Sequence, residues 1–511
     1  MRSARSALVI THVFPPVNAV GAHRTVALCR CLVQQGWHVT VVTGRPTGEY
    51  PLDTGLLARM PVQICVVRTA CPHLLNLAAR WLGRGSDRKK PAAAPDDGAP
   101  QGTPSSRPGA MRRAVGWLSW WLCVPDGNVG WFVPGVWAGL CEAARHRPDV
   151  VYSSGPVWTS HLLGAALSRL LRLPFVADFR DPWCGSAWHK VPHASHRWVD
   201  DALERLVVQR ATRVTCAWDG IRKHLAARYP ERAGRFLTIL NGFDAEGIDN
   251  VGAERVEEGR CVMLHSGTFY GLRSPSPLLE GLRRFRDEAP REAARLLVVL
   301  LGRTDYNGRP LEALARDYGV VDLVRVMSPT SHERALAYLK GADVAVLFGQ
   351  GGKDGTLAPV PAKTYEYVGL EKSVLAVAAG GEALEVLCRG GCRVWSVGGD
   401  DPREVAAALR EIVREQGRAR PAAPSVGTGR SAFTRGRMAE RLAAVLGDVI
   451  RRGRCRGPSV GPRGNPEHVG ACASAPAGDQ AGRPRPEDDG GRPGPEDKGT
   501  ALKQGRLNRC H

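Results

Sequence analysis

The sequence predicts an α/β protein made of two successive doubly wound, Rossmann-like domains that face each other across a cleft. Short apolar runs alternate with stretches of helical period along most of residues 7–430. One turn-like segment, NGFD at Asn241–Asp244, interrupts this alternation, and a second series begins after it. A chain of 511 residues with 43% hydrophobic content is long enough for about two or three domains with sizeable cores.

The chain divides into four parts. We assign residues 1–245 to the N-terminal domain, 246–430 to the C-terminal domain and 431–452 to a last amphipathic helix. Residues 453–511 contain no Phe, Trp or Tyr and include a near-repeat, GRPRPEDDG followed by GRPGPEDKG, so we expect a disordered tail. Residues Gly83–Arg113 are rich in Pro, Ala, Gly and Arg without an apolar period, and we expect a disordered insertion there.

The N-terminal domain opens with a strand–helix–strand unit, which predicts a parallel sheet with helices on both faces. The three segments are Ala7–Thr11, Thr25–Gln35 and His38–Thr43. The loop after the first strand, HVFPPVNAVGAHR, includes Asn18, Gly21 and Arg24 but no G-x-G-x-x-G fingerprint. A dehydrogenase that binds a dinucleotide is therefore poorly supported.

An aromatic segment, Ala114–Cys141, follows the insertion and has Asp126 as its only charged residue. Its length would permit a membrane span, but its Pro and Gly residues argue against a continuous helix in lipid. Two interpretations stay open. Either the segment packs in the core, which we favour, or its tryptophans form an interfacial patch with Arg112 and Arg113 at lipid headgroups.

A second strand–helix–strand unit delivers the sequence ADFRDPWCG to the edge of the first sheet. Asp178, Arg180 and Asp181 lie at the carboxyl end of the predicted strand, where a parallel sheet places its ligands. The alternative is an Asp–Arg–Asp pairing that only shapes a loop. The strands and helix predicted here and downstream are Val150–Ser153, Thr159–Arg172, Phe175–Asp178, Arg213–Ala217 and Leu237–Leu240.

The C-terminal domain repeats the alternation. Its predicted strands are Cys261–His265, Leu296–Leu301, Val324–Met327, Val344–Leu347, Val374–Val377 and Val394–Val397, and two of its predicted helices are Ser331–Lys340 and Pro402–Glu415. A glycine-rich loop, GGKDGTLAP, follows the fourth of these strands and leads into a helix that contains Lys363 and Glu366.

Lys363 and Glu366 lie on one face of that helix because they are three residues apart. A helix start beside a glycine loop is suited to phosphate, and a lysine there can neutralise a diphosphate. A carboxylate can accept hydrogen bonds from ribose hydroxyls. The alternative is a solvated surface pair on an amphipathic helix.

The formal net charge of +20 indicates an anionic partner. No motif for DNA or RNA accompanies it, so phosphates of a substrate and a membrane surface are the better interpretations, and no nucleic acid is expected. The 14 cysteines include no CxxC pair, and no signal peptide is visible at the start. We expect reduced thiols, no metal site and a cytoplasmic protein.

The order of these motifs resembles that of the GT-B glycosyltransferases, in particular the family-4-like group. The similar stretches cover most of residues 7–450, without counterparts for the insertion and the tail. They are ALVITHVFPPVNAVGAHR, GWHVTVVT, PDGNVGW, PDVVYSSGP, LPFVADFRDPW, TILNGFD, VMLHSGTFYG, LKGADVAVL and VPAKTYEYVG. No single phrase is decisive, but their shared order makes the match fairly specific. PDGNVGW also favours the packed interpretation of the aromatic segment.

The resemblance implies a sugar-nucleotide donor in the C-terminal domain and an acceptor at the N-terminal domain. Glu366 matches the ribose-binding glutamate of the family, and Lys363 lies at the same helix start. Gly267 and Arg273, in GTFYGLR, would complete the donor site. On the N-terminal side the resemblance implies two groups of site residues. The residues at the carboxyl end of the predicted strand Phe175–Asp178 would be catalytic, positioning the acceptor or taking its proton, and those in the loop after the first strand would line the site. The catalytic residues would be Asp178, Arg180 and Asp181, and the loop residues Asn18, Gly21 and Arg24.

Three positions depart from the family pattern. The family often has a second glutamate where this chain has Ala358, a basic residue near Thr268, and in many relatives a histidine where this chain has Arg180. These departures concern the sugar and the details of catalysis.

The function implied is transfer of a sugar to a glycan or lipid-linked acceptor in cell-surface or exopolysaccharide biosynthesis, at the inner face of the membrane. The family is retaining and generally uses no metal ion, so no cofactor is expected. Two alternatives stay open: a sugar-nucleotide epimerase of the same architecture, and a non-catalytic nucleotide-binding protein.

Overall fold

The structure is a computed structural model that describes most of residues 4–455. The described residues are 4–46, 48, 52–58, 60–72, 74, 121, 123–186, 189, 193–270, 273–349, 359–399, 401–416 and 429–455. Three sequence predictions concern residues outside this set: the insertion at 83–113, the glycine-rich loop at 351–358 and the tail from residue 456 onward.

The N-terminal domain is a parallel sheet with helices on both faces. Its strands are β1 Ser6–Ile10, β2 His38–Gly44, β3 Ile64–Thr69, β4 Val150–Gly155, β5 Phe175–Phe179, β6 Arg213–Cys216 and β7 Phe236–Thr238. Its helices are α1 Val20–Gln34, α2 Thr54–Ala58, α3 Phe132–His146, α4 Thr159–Leu171, α5 Ala194–Arg210 and α6 Asp219–Arg228. Within the described residues the strand order is β3-β2-β1-β4-β5-β6-β7. Every residue of β1, β4 and β5 is buried, as expected for inner strands covered on both faces.

The C-terminal domain has the same architecture. Its strands are β8 Cys261–Ser266, β9 Leu296–Leu301, β10 Asp305–Tyr306, β11 Arg309–Pro310, β12 Val324–Met327, β13 Val344–Phe348, β14 Ser373–Val377 and β15 Val394–Val397. Its helices are α7 Ala245–Asn250, α8 Ser276–Glu288, α9 Pro290–Ala293, α10 Leu311–Asp317, α11 His332–Gly341, α12 Ala362–Gly369, α13 Glu382–Arg389 and α14 Pro402–Gln416. The parallel order is β12-β9-β8-β13-β14-β15, while β10 and β11 form a separate hairpin in the described part of the chain.

The strand order reverses once in each sheet, between β1 and β4 and between β8 and β13. In open parallel sheets, ligands bind beyond the carboxyl ends of the strands at such switch points. The two sheets therefore confirm the predicted fold class of two Rossmann-like domains, and they define where a ligand is expected in each.

The last helix, α15 Arg435–Cys455, returns to the N-terminal domain. Its apolar face, which includes Met438, Leu442 and Leu446, packs in one cluster with Val9 of β1 and Leu28 of α1. The sequence predicted a helix over Ser431–Arg452, but Ser431 lies in a 3-10 turn, Arg430–Phe433, before the helix begins.

The aromatic segment is packed where the structure describes it. Trp131 is fully buried, and its indole Nε1 donates to the hydroxyl of Thr69 at 2.7 Å. Instead of a short helix and a loop, the segment continues into the 15-residue helix α3, on which Trp137 is 70% exposed. Arg112 and Arg113 lie outside the described residues. Within the described residues, no helix has the length and apolar character needed to span a bilayer.

Candidate active site

The N-terminal side of the candidate site is built around Asp178, which is fully buried in β5. Arg24 of α1 donates to both carboxylate oxygens, from Nε and Nη2, at 2.9 Å each. The hydroxyls of Thr215 and Ser154 donate to the same oxygens at 2.6 and 3.2 Å. Burial would raise the pKa of Asp178, but Arg24 and these hydrogen bonds outweigh it, and the pKa lies below its ordinary value.

Asp178 is thus part of a structural ion pair with no surface left for an acceptor. The sequence left open such a structural pairing, but it named Arg180 as the partner. The structure places Arg24 of α1 there instead, with Nη2 2.9 Å from Oδ1 of Asp178 and both side chains buried. The catalytic role of Asp178 is not supported by this geometry.

Arg180 lies just beyond β5 and is directed back to the sheet. Its Nε donates to the carbonyl of Gly155 at 3.1 Å, and its Nη2 donates to the carbonyl of Pro156. A Cβ atom added to Gly21 would stand 1.2 Å from Nη1 of Arg180. Glycine at position 21 is therefore what allows the start of α1 to approach Arg180 so closely.

Asp181 differs from Asp178 because it is partly exposed, like Arg180, and its carboxylate accepts no hydrogen bond from the described residues. Burial raises its pKa above the ordinary value, although the adjacent Arg180 opposes this shift. Asn18, in the loop before α1, is also partly exposed. Of the two clustered carboxylates, Asp181 is therefore the one that a ligand can reach.

The C-terminal side of the candidate site lies where β8 ends, beside β13. Helix α12 follows Pro361, and its buried face consists of Thr364, Tyr365, Tyr367 and Val368. Lys363 and Glu366 consequently lie on the opposite face, as their spacing predicts. A Cβ atom added to Gly267 would stand 2.5 Å from Nζ of Lys363, so the ammonium lies against the Gly267 backbone.

The Lys363 ammonium is poorly solvated. Burial lowers its pKa, the positive charge of Arg273 lowers it further, and Glu366 opposes both effects. The guanidinium of Arg273 lies over the ring of Tyr270, with its carbon 5.0 Å from the ring centroid. Two positive groups and one carboxylate therefore surround the end of β8.

Glu366 lies one helical turn after Lys363. Its Oε1 is 3.8 Å from Nε2 of His332, at the start of α11, and its side chain is 21% exposed. The carboxylate is thus partly exposed, as a group that accepts hydrogen bonds from a ligand must be.

Sequence reasoning missed two residues near the site. His265 is buried at the end of β8, and Glu382 begins α13 and contacts the other domain. His265 could have been found from the sequence, because a histidine inside an otherwise apolar strand is unusual. No local signal marks Glu382, because its partner lies far away in the sequence.

The described residues include no group of three or more His, Cys, Asp or Glu side chains that could bind a metal ion. The expectation that no cofactor is required stays a prediction. The cysteines described in the structure are all free thiols, among them Cys29 and Cys31.

Comparison with known proteins shows the fold and a domain to which the N-terminal half is similar. Residues 21–242 match the model of the glycosyl transferase 4-like domain. The chain superposes on Anabaena HepE in complex with UDP with a TM-score of 0.53 at 13% identity, covering 87% of this chain and 100% of HepE. A sucrose-phosphate synthase from Thermosynechococcus elongatus gives 0.53 at 16% identity, covering 88% and 100%. The chain has the GT-B fold, and its residues 21–242 are similar to the glycosyl transferase 4-like domain.

Curated relatives of this GT-B protein match parts of its sequence. The D-inositol 3-phosphate glycosyltransferase of Geodermatophilus obscurus is 30% identical over 220 residues, which is 41% of this chain and 47% of the relative. That of Nocardiopsis dassonvillei is 25% identical over 307 residues, 55% and 67% of the two chains. The chain thus spans about half the length of the first of these relatives.

The two domains of this GT-B protein are joined by polar contacts as well as by chain connections. Both carboxylate oxygens of Glu382 accept from the backbone N–H of Asp219 at 2.7 Å, and one also accepts from Gly220 at 3.2 Å. A carboxylate of the C-terminal domain thereby caps the N-terminus of α6.

Proposed function

We propose that the protein transfers a sugar from a nucleotide-sugar donor to an acceptor hydroxyl. The observation that supports this most directly is the group Lys363, Arg273 and Glu366 at the switch point of the C-terminal sheet. It combines positive charge for a diphosphate with an accessible carboxylate for a ribose. HepE, which has the same fold, has been solved in complex with UDP and with UDP-glucose.

The donor side supplies charge stabilisation. As the bond between the anomeric carbon and the diphosphate breaks, negative charge grows on the leaving phosphate oxygen. Lys363 and Arg273 stabilise that charge, and their incomplete solvation strengthens the interaction. Glu366 accepts hydrogen bonds from the ribose hydroxyls and fixes the donor in position. We propose that no metal ion is needed, because the two cations already neutralise the diphosphate.

The acceptor side supplies orientation and a base. Asp181, the reachable carboxylate beyond β5, positions the acceptor hydroxyl and takes its proton as the new bond to the anomeric carbon forms. We propose retention of the anomeric configuration, as the family resemblance implies. Asp178 acts indirectly, because its ion pair with Arg24 joins the end of β5, just before Asp181, to α1.

The acceptor is proposed to be a glycan or a lipid-linked sugar in cell-surface polysaccharide synthesis. Because the curated relatives are named D-inositol 3-phosphate glycosyltransferases, an inositol phosphate is a further acceptor to test.

We further propose a cytoplasmic protein that contacts the membrane surface through its basic residues. Vesicles of acidic lipid should bind it at low salt and release it at high salt. Retention on the vesicles at high salt would contradict this electrostatic contact.

One panel tests the donor proposal. UDP-, GDP- and dTDP-sugars are compared by thermal shift, since a ligand that binds the folded state raises the apparent melting temperature. The sugar nucleotide that gives the largest shift is then incubated with acceptors, with and without chelator. Formation of an isomerised sugar nucleotide from donor alone would indicate an epimerase. Binding without any turnover would indicate a non-catalytic protein.

A further inference from the structure

The buried histidine of the C-terminal domain, His265, has a defined tautomer. It is 2% exposed near the end of β8, and its Nδ1 lies 3.0 Å from the carbonyl oxygen of Val346 in β13. That oxygen also accepts from the hydroxyl of Tyr367 at 3.1 Å. Since a carbonyl can only accept, Nδ1 bears the ring proton. Burial lowers the pKa of His265 to about 3, so the ring is neutral and Nε2 has a free lone pair.

This Nε2 atom is buried and has no hydrogen-bond partner among the described residues. It lies 3.2 Å from the point where a Cβ atom of Gly267 would stand, and Nζ of Lys363 lies 2.5 Å from the same point. The backbone N–H groups of Gly267 and Gly302 are already engaged, because the first donates to the carbonyl of Leu301 at 2.7 Å and the second to that of Met327 at 2.9 Å. A buried acceptor without a donor costs free energy, so a partner is expected there.

Lys363 is the complementary group. Within the described residues its ammonium makes no hydrogen bond, although it has three N–H donors. The charged groups that influence it are Glu366 on its own helix and Arg273 from the segment after β8. The unsatisfied ammonium and the unsatisfied lone pair thus both lie close to the same point beside Gly267.

Packing alone does not require a polar ring at position 265. The neighbours of His265 are aromatic: the ring centroids of Phe269 and Phe348 both lie 4.9 Å from its own. A phenylalanine would fill this space with a ring of similar size, and it would avoid burying an unsatisfied nitrogen. The polar ring therefore points to a role beyond filling the core.

We propose that His265 is a positioning residue for the donor site: its Nε2 accepts a hydrogen bond from the Lys363 ammonium and directs the remaining N–H groups toward the donor diphosphate. This inference rests on the proposed function, in which Lys363 contacts that diphosphate. It gives a role to His265, the buried titratable side chain near the carboxyl end of β8, where the strand order reverses.

The test compares His265→Phe, which removes the acceptor, with His265→Gln, whose side-chain oxygen can replace Nε2. His161→Phe is the matched control, because His161 is an equally buried neutral histidine of the N-terminal domain, bonded through Nδ1 to Ser153 at 2.7 Å. UDP affinity is measured by calorimetry from pH 7 to alkaline pH. The uracil of UDP also loses a proton at alkaline pH, but it does so equally with every variant. Its effect on the affinity therefore cancels when variant and parent are compared at the same pH.

The expected result has two parts. At neutral pH, His265→Phe binds UDP about tenfold more weakly, the equivalent of about 1.4 kcal/mol and of one charged hydrogen bond. Its affinity also declines at lower pH than that of the parent, because an ammonium without its acceptor loses its proton more readily. His265→Gln restores both properties toward the parent, and His161→Phe changes neither.

A parent-like alkaline profile for His265→Phe would overturn the inference while the proposed function stands. If the parent binds neither UDP nor the other nucleotides of the panel, the proposed function fails. The inference is then decided in ligand-free protein by following the titration of Lys363 through isotope-labelled lysine in NMR. A lower midpoint in His265→Phe than in the parent supports the contact, and an equal midpoint excludes it.

Discussion

The ion pair between Arg24 and Asp178 yields a prediction about stability. The same experiment distinguishes the structural role of Asp178 from the catalytic role proposed for Asp181. Asp178→Ala leaves the Arg24 guanidinium, 3% exposed, without its counter-ion. Removing one partner of a buried pair costs about 3–5 kcal/mol of stability. For a domain of this size each kcal/mol lowers the melting temperature by roughly 2–4 °C, so we expect a decrease of about 10 °C.

The pH dependence of the same pair follows from the direction of the shift. The pKa of Asp178 is lower in the folded protein than in the unfolded chain. The pair therefore stabilises the fold fully above about pH 4, and the stabilisation is lost as the pH falls through the lower, folded value. Acid should reduce the difference in melting temperature between parent and Asp178→Ala.

Asp181→Asn is the matched comparison. Its carboxylate accepts no hydrogen bond from the described residues, so the melting temperature should stay within about 2 °C of the parent. Turnover should fall by at least about a hundredfold, the usual minimum for loss of a general base. Because burial raises the pKa of Asp181, parent turnover should decline in mild acid at a pH above the ordinary aspartate range.

Calorimetric melting and turnover, measured on both variants, decide the assignment. If Asp178→Ala melts like the parent and yet loses turnover, the ion pair does not stabilise the fold and the structural role is wrong. If Asp181→Asn retains parent turnover, the proposed base is wrong.

Further predictions concern three other parts of the chain. Glu366→Ala should weaken nucleotide binding by roughly one to two powers of ten, measured by calorimetry, whereas Arg273→Ala should reduce turnover more than binding because leaving-group charge peaks in the transition state. Parent-like binding in both variants would contradict the donor site. Gly21→Ala should lower stability by displacing Arg180, measured by melting temperature, and an unchanged value would contradict the close approach. Deletion of residues 456–511 should leave melting and nucleotide binding unchanged, and a loss of several degrees would refute this.

The sequence predicted most central strands of both sheets within one or two residues. Runs such as LLVVLL at Leu296–Leu301 are apolar throughout because both faces of an inner parallel strand are covered. The edge strand β3, Ile64–Thr69, was missed, since only its first residue is buried and its sequence shows no strong period. Helix α5, Ala194–Arg210, was also missed, because its buried residues include His196, Asp200 and Glu204.

The candidate site was accessible to sequence reasoning only where its residues lie close together in the chain. Lys363 and Glu366 could be paired from helical spacing alone, and Asp181 could be placed beyond a strand end. The contact of Lys363 with Gly267 joins residues on two different elements, and the chain gives no local signal for it.

What the sequence by itself determined is the alternation of strands and helices, and from it the two Rossmann-like domains and the edges at which ligands are expected. These follow from short-range patterns of apolar residues. Only the tertiary structure decided that Asp178 pairs with Arg24, 154 residues away, rather than with Arg180, two residues away. The same holds for Glu382, which caps a helix of the other domain. The physical reason is that a buried charge must find its partner in space, and folding brings together groups whose separation along the chain no pattern records.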